Sequence, residues 1–247
     1  MRNLFHSVVF IWLVLFPLRI LVFGAVERRF AAQPFNPRAV LAMDLFTTVF
    51  FAGVTLQIAV WLTEHLGLRL PAPNRIDQLP EALRVVLYLV VADFGHYWIH
   101  RIAHTPLLWR IHRWHHSPSH MSWAAGNRDT LLDASFVNLA YLLPLPLLGP
   151  IGGKTALLLL LISIFKNDWM HLNVRWRLPL LEGWLITPRD HHIHHSSDPS
   201  HLNRNFGILL SVWDRLFGTF FHPDQAPGPL AFGNGEQVST VRLVAGL

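Results

Sequence analysis

Long apolar stretches alternate with short polar ones along most of the chain, and their lengths predict membrane-spanning helices. A helix rises 1.5 Å per residue, so about 20 apolar residues cross a hydrocarbon core of about 30 Å. Three stretches, 4–23, 39–62 and 82–99, are candidate spans. Two shorter stretches, 131–148 and 151–165, are separated by "GPIGG" and predict a helical hairpin that enters the membrane and returns. The pattern therefore predicts an all-α integral membrane protein with about four to five transmembrane or hairpin helices.

The pattern shows no internal boundary, so we expect one membrane-embedded domain over 1–247. Within it, 1–80 supplies N-terminal membrane helices, and 81–222 carries the polar motifs described below. The tail 223–247 contains "APGPLAFGNG" and is expected to be irregular, because Pro and Gly interrupt regular structure.

Composition and charge agree with a multi-pass membrane protein. The chain is 52% hydrophobic and 14% charged, whereas soluble domains average about 25% charged residues. The net charge is +5, but the arginines stand singly between apolar runs, which favours membrane flanks over a nucleic-acid partner. Most Lys and Arg fall in 24–38, in 101–130 and after 166. Since basic loops favour the cytoplasmic side, we expect these three regions to be cytoplasmic.

The chemistry-bearing residues are histidines. There is no cysteine, so any metal must be held by imidazole, carboxylate or backbone groups. Twelve of the sixteen histidines fall in the windows 96–120 and 191–201. Each window contains an H-x-x-H-H unit, and His100 and His104 add an H-x-x-x-H pair. Residues three and four apart share a helix face, so each unit is expected to direct two or three rings at one point. Both windows are predicted on the cytoplasmic side.

The number of histidines indicates a site for two metal ions. Zinc in proteins is usually four-coordinate, and the three motifs together with His171 exceed what one ion accepts. Iron, zinc, copper and nickel all bind imidazole, so the ligand type alone leaves the metal open. Asp93 and Asp168 each begin an Asp-x-x-His motif. We expect both aspartates to accept a hydrogen bond from the far ring nitrogen of a ligating histidine.

The motifs resemble the fatty acid hydroxylase/sterol desaturase superfamily of membrane di-iron oxygenases. The matching text is "DFGHYWIHRIAHTPLLWRIHRWHHS" (93–117), "MHLNVRWRLP" (170–179) and "TPRDHHIHHSSDP…NFGILLSVWDRLFGTF" (187–220). The resemblance covers the second half of the chain, and its order and flanking residues make it specific.

The resemblance implies nine metal ligands and three further candidate residues of the catalytic site. Some relatives carry a second histidine where this chain has Arg175. The ligand set of one ion is therefore expected to be completed by a water molecule that Asn173 orients, or by His96. His120 and His192 fall outside the ligand pattern. The further site candidates are Asp93, Asn173 and Asp190. The implied ligands are His100, His104, His112, His115, His116, His171, His191, His194 and His195.

The resemblance also implies the reaction and its partners. Two iron ions, O2 as co-substrate and two electrons would remove hydrogen from an unactivated C–H bond of a lipid, giving a hydroxyl group or a double bond. Zinc is expected as a substitute in overexpressed protein. The substrate is a fatty acyl, sterol, isoprenoid or ether lipid from the bilayer. The chain shows no flavin, nicotinamide or haem motif, so a cytochrome b5-, ferredoxin- or reductase-type donor is expected.

Two other classes of function remain as alternatives. A metal-dependent lipid hydrolase would use the same ions to activate water. A metal transporter would place histidines within the spans, whereas nearly all lie beyond the span ends. Dependence on O2 and reductant distinguishes the oxygenase from the hydrolase.

Overall fold

A computed structural model describes residues 2–34, 44, 46–47, 76–226, 228–235 and 242. The predicted span 39–62 lies almost entirely outside the described residues. Side chains before Val14 are also outside the description.

The described part is helical, with three isolated β-bridges. Short 3-10 turns at Ile76–Gln78, Ala125–Asn127, Leu145–Leu147, Pro199–His201 and Pro223–Gln225 connect the α-helices. The all-α class is therefore confirmed for these residues. The helices are α1 (Arg2–Phe30), α2 (Glu81–Ala103), α3 (Trp109–His112), α4 (Leu131–Leu142), α5 (Gly153–His171), α6 (Pro188–His195) and α7 (Val212–Leu216).

One helix among the described residues, α2, is long and apolar enough to cross a membrane, and Leu131–Leu147 forms a shorter apolar segment. The predicted span 4–23 lies within the 29-residue α1, which continues to Phe30. The predicted hairpin corresponds to α4 and α5, with the turn near Gly149, whose φ is +55°. The number of spans and their orientation stay predictions.

Small residues allow α2 and α4 to pack closely. Gly95 faces Ala140, whose Cα would lie 3.7 Å from a Cβ added at the glycine. Farther along, Tyr88 and Ala92 are buried with Leu148, against Leu147 and other apolar side chains. Thr130 caps the start of α4 by accepting a hydrogen bond from the Asp133 N–H at 3.0 Å. This packing fixes α4 beside the end of α2 that carries His100.

Buried polar contacts connect α1 with the end of α5. Arg19 donates two hydrogen bonds to Asp168, at 2.5 and 2.6 Å. Glu27 accepts from the backbone N–H groups of Trp123 and Asn173, at 2.7 and 3.0 Å. Buried ionised groups require partners of this kind. The C-terminal end of α1 therefore lies on the same side of the molecule as His171.

The chain after α5 is held to α5 and to the tail by hydrogen bonds and ring contacts. Trp169 donates its indole N–H to the Ile186 carbonyl at 3.0 Å. The described part of the tail begins with the 3-10 turn Pro223–Gln225 and packs against the chain after α6: Ser197 donates its N–H to the Ala231 carbonyl at 2.9 Å. Phe232 lies against His192, with ring centroids 5.8 Å apart.

Candidate metal centre

The structure brings all nine predicted ligand histidines together in two buried clusters. Each histidine offers one ring nitrogen, and within a cluster these nitrogens all lie within 4.8 Å of one another. The larger cluster, called the five-histidine cluster, contains His100, His104, His112, His116 and His194. The smaller, called the four-histidine cluster, contains His115, His171, His191 and His195.

The nitrogen spacing in the four-histidine cluster fits a metal ion. The Nε2 atoms of His171, His191 and His195 lie 3.0, 3.1 and 3.2 Å from one another. Two imidazole nitrogens bound to one ion at about 2.0–2.1 Å lie about 2.9–3.4 Å apart, for tetrahedral to octahedral angles. The three rings therefore already have the separation that a shared ion requires.

The five-histidine cluster points buried nitrogens at a common centre. The Nε2 atoms of His104, His112, His116 and His194 have no hydrogen-bond partner among the described residues. Buried polar atoms are normally satisfied, and an unsatisfied one requires an explanation. Four such atoms of one chemical type, from three segments of the chain, match the donor set of a metal site.

Each H-x-x-H-H unit divides its rings between the two clusters. His112 and His116 join the five-histidine cluster, whereas His115 joins the other. His191 and His195 join the four-histidine cluster, whereas His194 faces the first. Two rings of each unit therefore share one centre, within the predicted two or three, and the third ring serves the other centre. The reason is that residues i and i+4 share a face, while i+3 lies about 60° from i on the other side, so a unit between two centres serves both.

Other groups orient the rings from outside. His112 Nδ1 lies 2.9 Å from Asp133 Oδ2. His100 and His194 place Nδ1 2.9 Å from the backbone carbonyls of Phe206 and Arg204, respectively. An Nδ1–H donor fixes the tautomer that leaves Nε2 free for a metal. The structure thus orients three members of the five-histidine cluster for binding through Nε2.

Asp133 is a site residue that the sequence analysis missed. It is fully buried and lies in an apolar stretch that was interpreted only as half of a hairpin. An acidic residue within such a stretch usually has a functional partner, and that signal was present at Asp133 as it was at Asp93.

The two aspartates predicted to contact histidine rings have other roles. Asp93 accepts hydrogen bonds from the N–H groups of Leu209 and Leu210 and from the Trp213 indole, at 2.9, 3.1 and 2.8 Å. Asp168 pairs with Arg19. The predictions for both are corrected: each carboxylate lies near the site but holds another segment of the protein in place.

Asn173 and Asp190 also serve the backbone. Asn173 Oδ1 accepts from the N–H groups of Ala32 and Gln33, both at 3.1 Å, which fixes the loop after α1. Asp190 forms a capping box with Thr187 at the start of α6. Asn173 is therefore committed to the chain after α1 rather than to a water molecule, and Asp190 positions the helix that carries His191.

Two further histidines are close to the clusters without joining them. His96 Nδ1 is hydrogen-bonded to the Tyr141 hydroxyl, and its ring centroid lies 6.0 Å from that of His100. His192 is buried outside both clusters, against Phe232 and the backbone of His171 and Leu172. Burial lowers its pKa to about 4.

Burial keeps several imidazoles of both clusters neutral. Burial, reinforced by neighbouring imidazoles, holds the pKa of His104, His116, His191 and His195 well below the ordinary histidine value. Burial lowers the pKa of His194 to about 3, although its hydrogen bond to the Arg204 carbonyl opposes the shift. Neutral imidazole is the form that binds metals. His115 is an exception: burial lowers its pKa, but the hydrogen bond with Asp129 and the charge of that carboxylate raise it overall.

A cavity of about 290 Å³ adjoins both clusters. Its wall includes His100 and His112 from one cluster and His115, His171 and His191 from the other. A reactant in this cavity would therefore meet both centres.

A protein-family model described as "Fatty acid hydroxylase" matches residues 85–219, more than half of the chain. The chain belongs to the fatty acid hydroxylase family. All nine clustered histidines, and Asp133, lie within the matched region.

Several curated proteins of this family are similar to the chain. The ornithine lipid hydroxylase OlsE of Rhizobium tropici is 40% identical over 155 residues, covering 60% of the chain and 44% of the relative. The alkylglycerol monooxygenase of Danio rerio is 33% identical, covering 52% and 28%. A probable Delta(7)-sterol 5(6)-desaturase of Neurospora crassa is 27% identical, covering 56% and 38%. The chain thus spans less than half the length of these relatives. No solved structure matches it.

Proposed function

We propose that this fatty acid hydroxylase family member is a membrane-bound, non-haem di-iron oxygenase that hydroxylates a C–H bond of a lipid. The observation that carries the proposal is the meeting of the two buried imidazole clusters at one cavity wall. A single-ion site would leave four or five buried imidazoles without a role.

The cluster residues would hold one ion each. Two iron ions would bind O2, accept electrons from a donor and supply the oxidant for an unactivated C–H bond. Imidazole ligands are compatible with iron and other divalent metals. Asp133 and the carbonyls of Phe206 and Arg204 orient three rings, so that the donor set is fixed before an ion arrives.

A lipid substrate is favoured by the surroundings of the cavity. Large apolar side chains are exposed on α2 and α5, including Val86 and Val90 on the first and Leu158 and Phe165 on the second. Exposed apolar side chains of this kind fit contact with a bilayer or another apolar partner. The lipid would then enter the cavity between helices without crossing water.

Hydroxylation is proposed over desaturation because of the relatives. The ornithine lipid hydroxylase and the alkylglycerol monooxygenase are 40% and 33% identical to the chain. The sterol desaturases are 27% identical. We also propose that the electrons come from an external donor and that the clusters lie on the cytoplasmic side.

The test is isotopic. Cells that express the wild-type chain or His194→Ala are grown under oxygen gas labelled with the heavy isotope, and their lipids are compared by mass spectrometry. We expect a hydroxylated lipid carrying one labelled oxygen in wild type and its loss in the variant. His222→Ala, which alters a histidine outside both clusters, is the control. A wild-type product labelled only from heavy-isotope water would indicate a hydrolase and contradict the proposal.

A further inference from the structure

The cavity beside the clusters meets a second pocket of about 120 Å³ between α2, α4 and α5. Four residues line both spaces, and all four are polar. We call this set the polar collar: Asn138, Tyr141, Ser163 and Lys166. Beyond the collar, the second pocket is lined by Asp93, whose carboxylate is held by Leu209, Leu210 and Trp213, and otherwise by Tyr88 and apolar side chains, including Leu89, Ala92, Leu159 and Ile162.

Helix geometry explains the collar. Asn138 and Tyr141 are three residues apart on α4, and Ser163 and Lys166 are three apart on α5. Such pairs share a helix face. The two helices thus each direct one polar pair at the same boundary, although neither pair is part of a histidine cluster.

Lys166 is the basic side chain of the collar. It donates a hydrogen bond to the Tyr141 hydroxyl, and its Nζ lies 3.8 Å from the centroid of the Tyr141 ring. An ammonium group has three N–H donors. Among the described residues, no carboxylate lies within 4.0 Å of Nζ. The nearby Asp93 carboxylate accepts from Leu209, Leu210 and Trp213 instead.

Lys166 also lines a third pocket, of about 230 Å³, whose wall includes Phe165, Trp169, Leu181 and Leu185. One basic side chain therefore stands where these two pockets and the cavity of the clusters meet. An ammonium group away from water is costly unless an anion or several hydrogen-bond acceptors compensate it. Among the described residues, Lys166 donates to one phenol, Tyr141, whose hydroxyl is also hydrogen-bonded to His96. The ammonium group therefore has further N–H donors for a ligand at the junction.

We propose that the polar collar binds an anionic oxygen, carboxylate or phosphate, of the lipid substrate through Lys166 and Tyr141. The proposal rests on the proposed function and adds a substrate class to it. With the anionic oxygen at the collar, the hydrocarbon chain would extend along the apolar walls of the second and third pockets, and the carbons next to the polar group would be those nearest the histidine clusters. The oxidised carbon then lies near the polar group of the lipid and not at the far end of its chain.

The test compares ligands that differ in their polar group alone. Equilibrium binding of palmitate, hexadecyl phosphate and hexadecanol is measured in a fixed concentration of neutral detergent, without reductant. The proteins are the purified full chain, Lys166→Met, Tyr141→Phe and a control, Lys154→Met. Lys154 is the only other lysine of the chain, and it is exposed at the start of α5.

We expect Lys166→Met to weaken binding of one or both anions by about ten-fold or more, because it removes a charged hydrogen-bond donor. Hexadecanol binding should change less than two-fold, and Lys154→Met should behave as wild type. Weakening for palmitate alone or for the phosphate alone identifies the anion. Equal effects on all three ligands, or none, would overturn the proposal.

Tyr141→Phe keeps the test decisive if Lys166→Met does not fold. It should weaken the same anion, by a smaller factor, and leave hexadecanol unchanged. Because no turnover is measured, the outcomes separate. A chain that binds anions through Lys166 but forms no labelled hydroxyl refutes only the oxygenase. A chain that hydroxylates lipid without this binding preference refutes only the collar.

Discussion

His112 Nδ1 lies 2.9 Å from Asp133 Oδ2, and both side chains are buried. The aspartate comes from an apolar helix 21 positions along the chain. With its ring held from this side, His112 directs Nε2 at the centre of the five-histidine cluster. An acid that contacts no metal thus helps to set the geometry of the donor set.

Replacing Asp133 by Asn should weaken metal binding at the five-histidine cluster about 10–100-fold, the usual effect of losing an outer carboxylate partner of a ligating histidine. Chelator competition on the purified protein measures the change. Asp224→Asn, at ion pairs with Arg177 and Arg189 outside both clusters, is the control and should leave the affinity unchanged. An unaltered affinity in Asp133→Asn would show that the contact has no part in positioning His112.

Gly126→Ala should remove metal from the four-histidine cluster. A Cβ at this position would lie 2.7 and 2.8 Å from the Cε1 and Cγ atoms of His171, closer than such atoms can approach, so the ring must move. Elemental analysis should find about one ion fewer per chain than in wild type.

Gly153→Ala provides the matched control, because nothing lies within 4 Å of its added Cβ. It should keep the wild-type metal content. Full metal content in Gly126→Ala would show that His171 is not needed to hold an ion.

His191→Ala and His192→Ala should differ despite their adjacency in sequence. The first removes a member of the four-histidine cluster, whereas the second removes a ring packed on Phe232. We expect loss of metal and of lipid hydroxylation in His191→Ala, and near-normal metal content in His192→Ala. Similar mild losses in both variants would contradict the cluster assignment.

The histidines of both clusters were predictable because their chemistry is visible in single residues and short spacings. The cluster to which each histidine belongs was not predictable in the same way. His115 and His116 are neighbours, yet they face different clusters, because the turn after α3 brings them between two centres. That arrangement depends on how α3, α5 and α6 meet in space, and spacing alone does not contain it.

The polar residues around the clusters were harder to assign for a related reason. Asp93, Asp168 and Asn173 were predicted near the site and do lie there, but their partners are distant in sequence: Leu209, Arg19 and Ala32. Asp133 was missed because its partner is likewise distant. A short motif shows that a polar residue needs a partner. Which residue that partner is depends on the tertiary fold.

The two ends of α2 should lie on opposite sides of the membrane. Gln78 precedes the helix, whereas Ala32 lies beside Asn173 at the end that carries the clusters. In whole cells, an impermeant thiol reagent should label Gln78→Cys from outside and should label Ala32→Cys only after permeabilisation. The wild-type chain has no cysteine, so the background is clean. Labelling of Ala32→Cys in intact cells would refute the cytoplasmic placement.

The most direct test of the central claim is the iron content of anaerobically reconstituted protein, measured together with its thermal unfolding. The account predicts two iron ions per folded wild-type chain. It also predicts about one ion in His104→Ala and about one in His195→Ala, because each variant disables a different cluster. One ion or none in folded wild-type protein, or two ions retained in both variants, would contradict it.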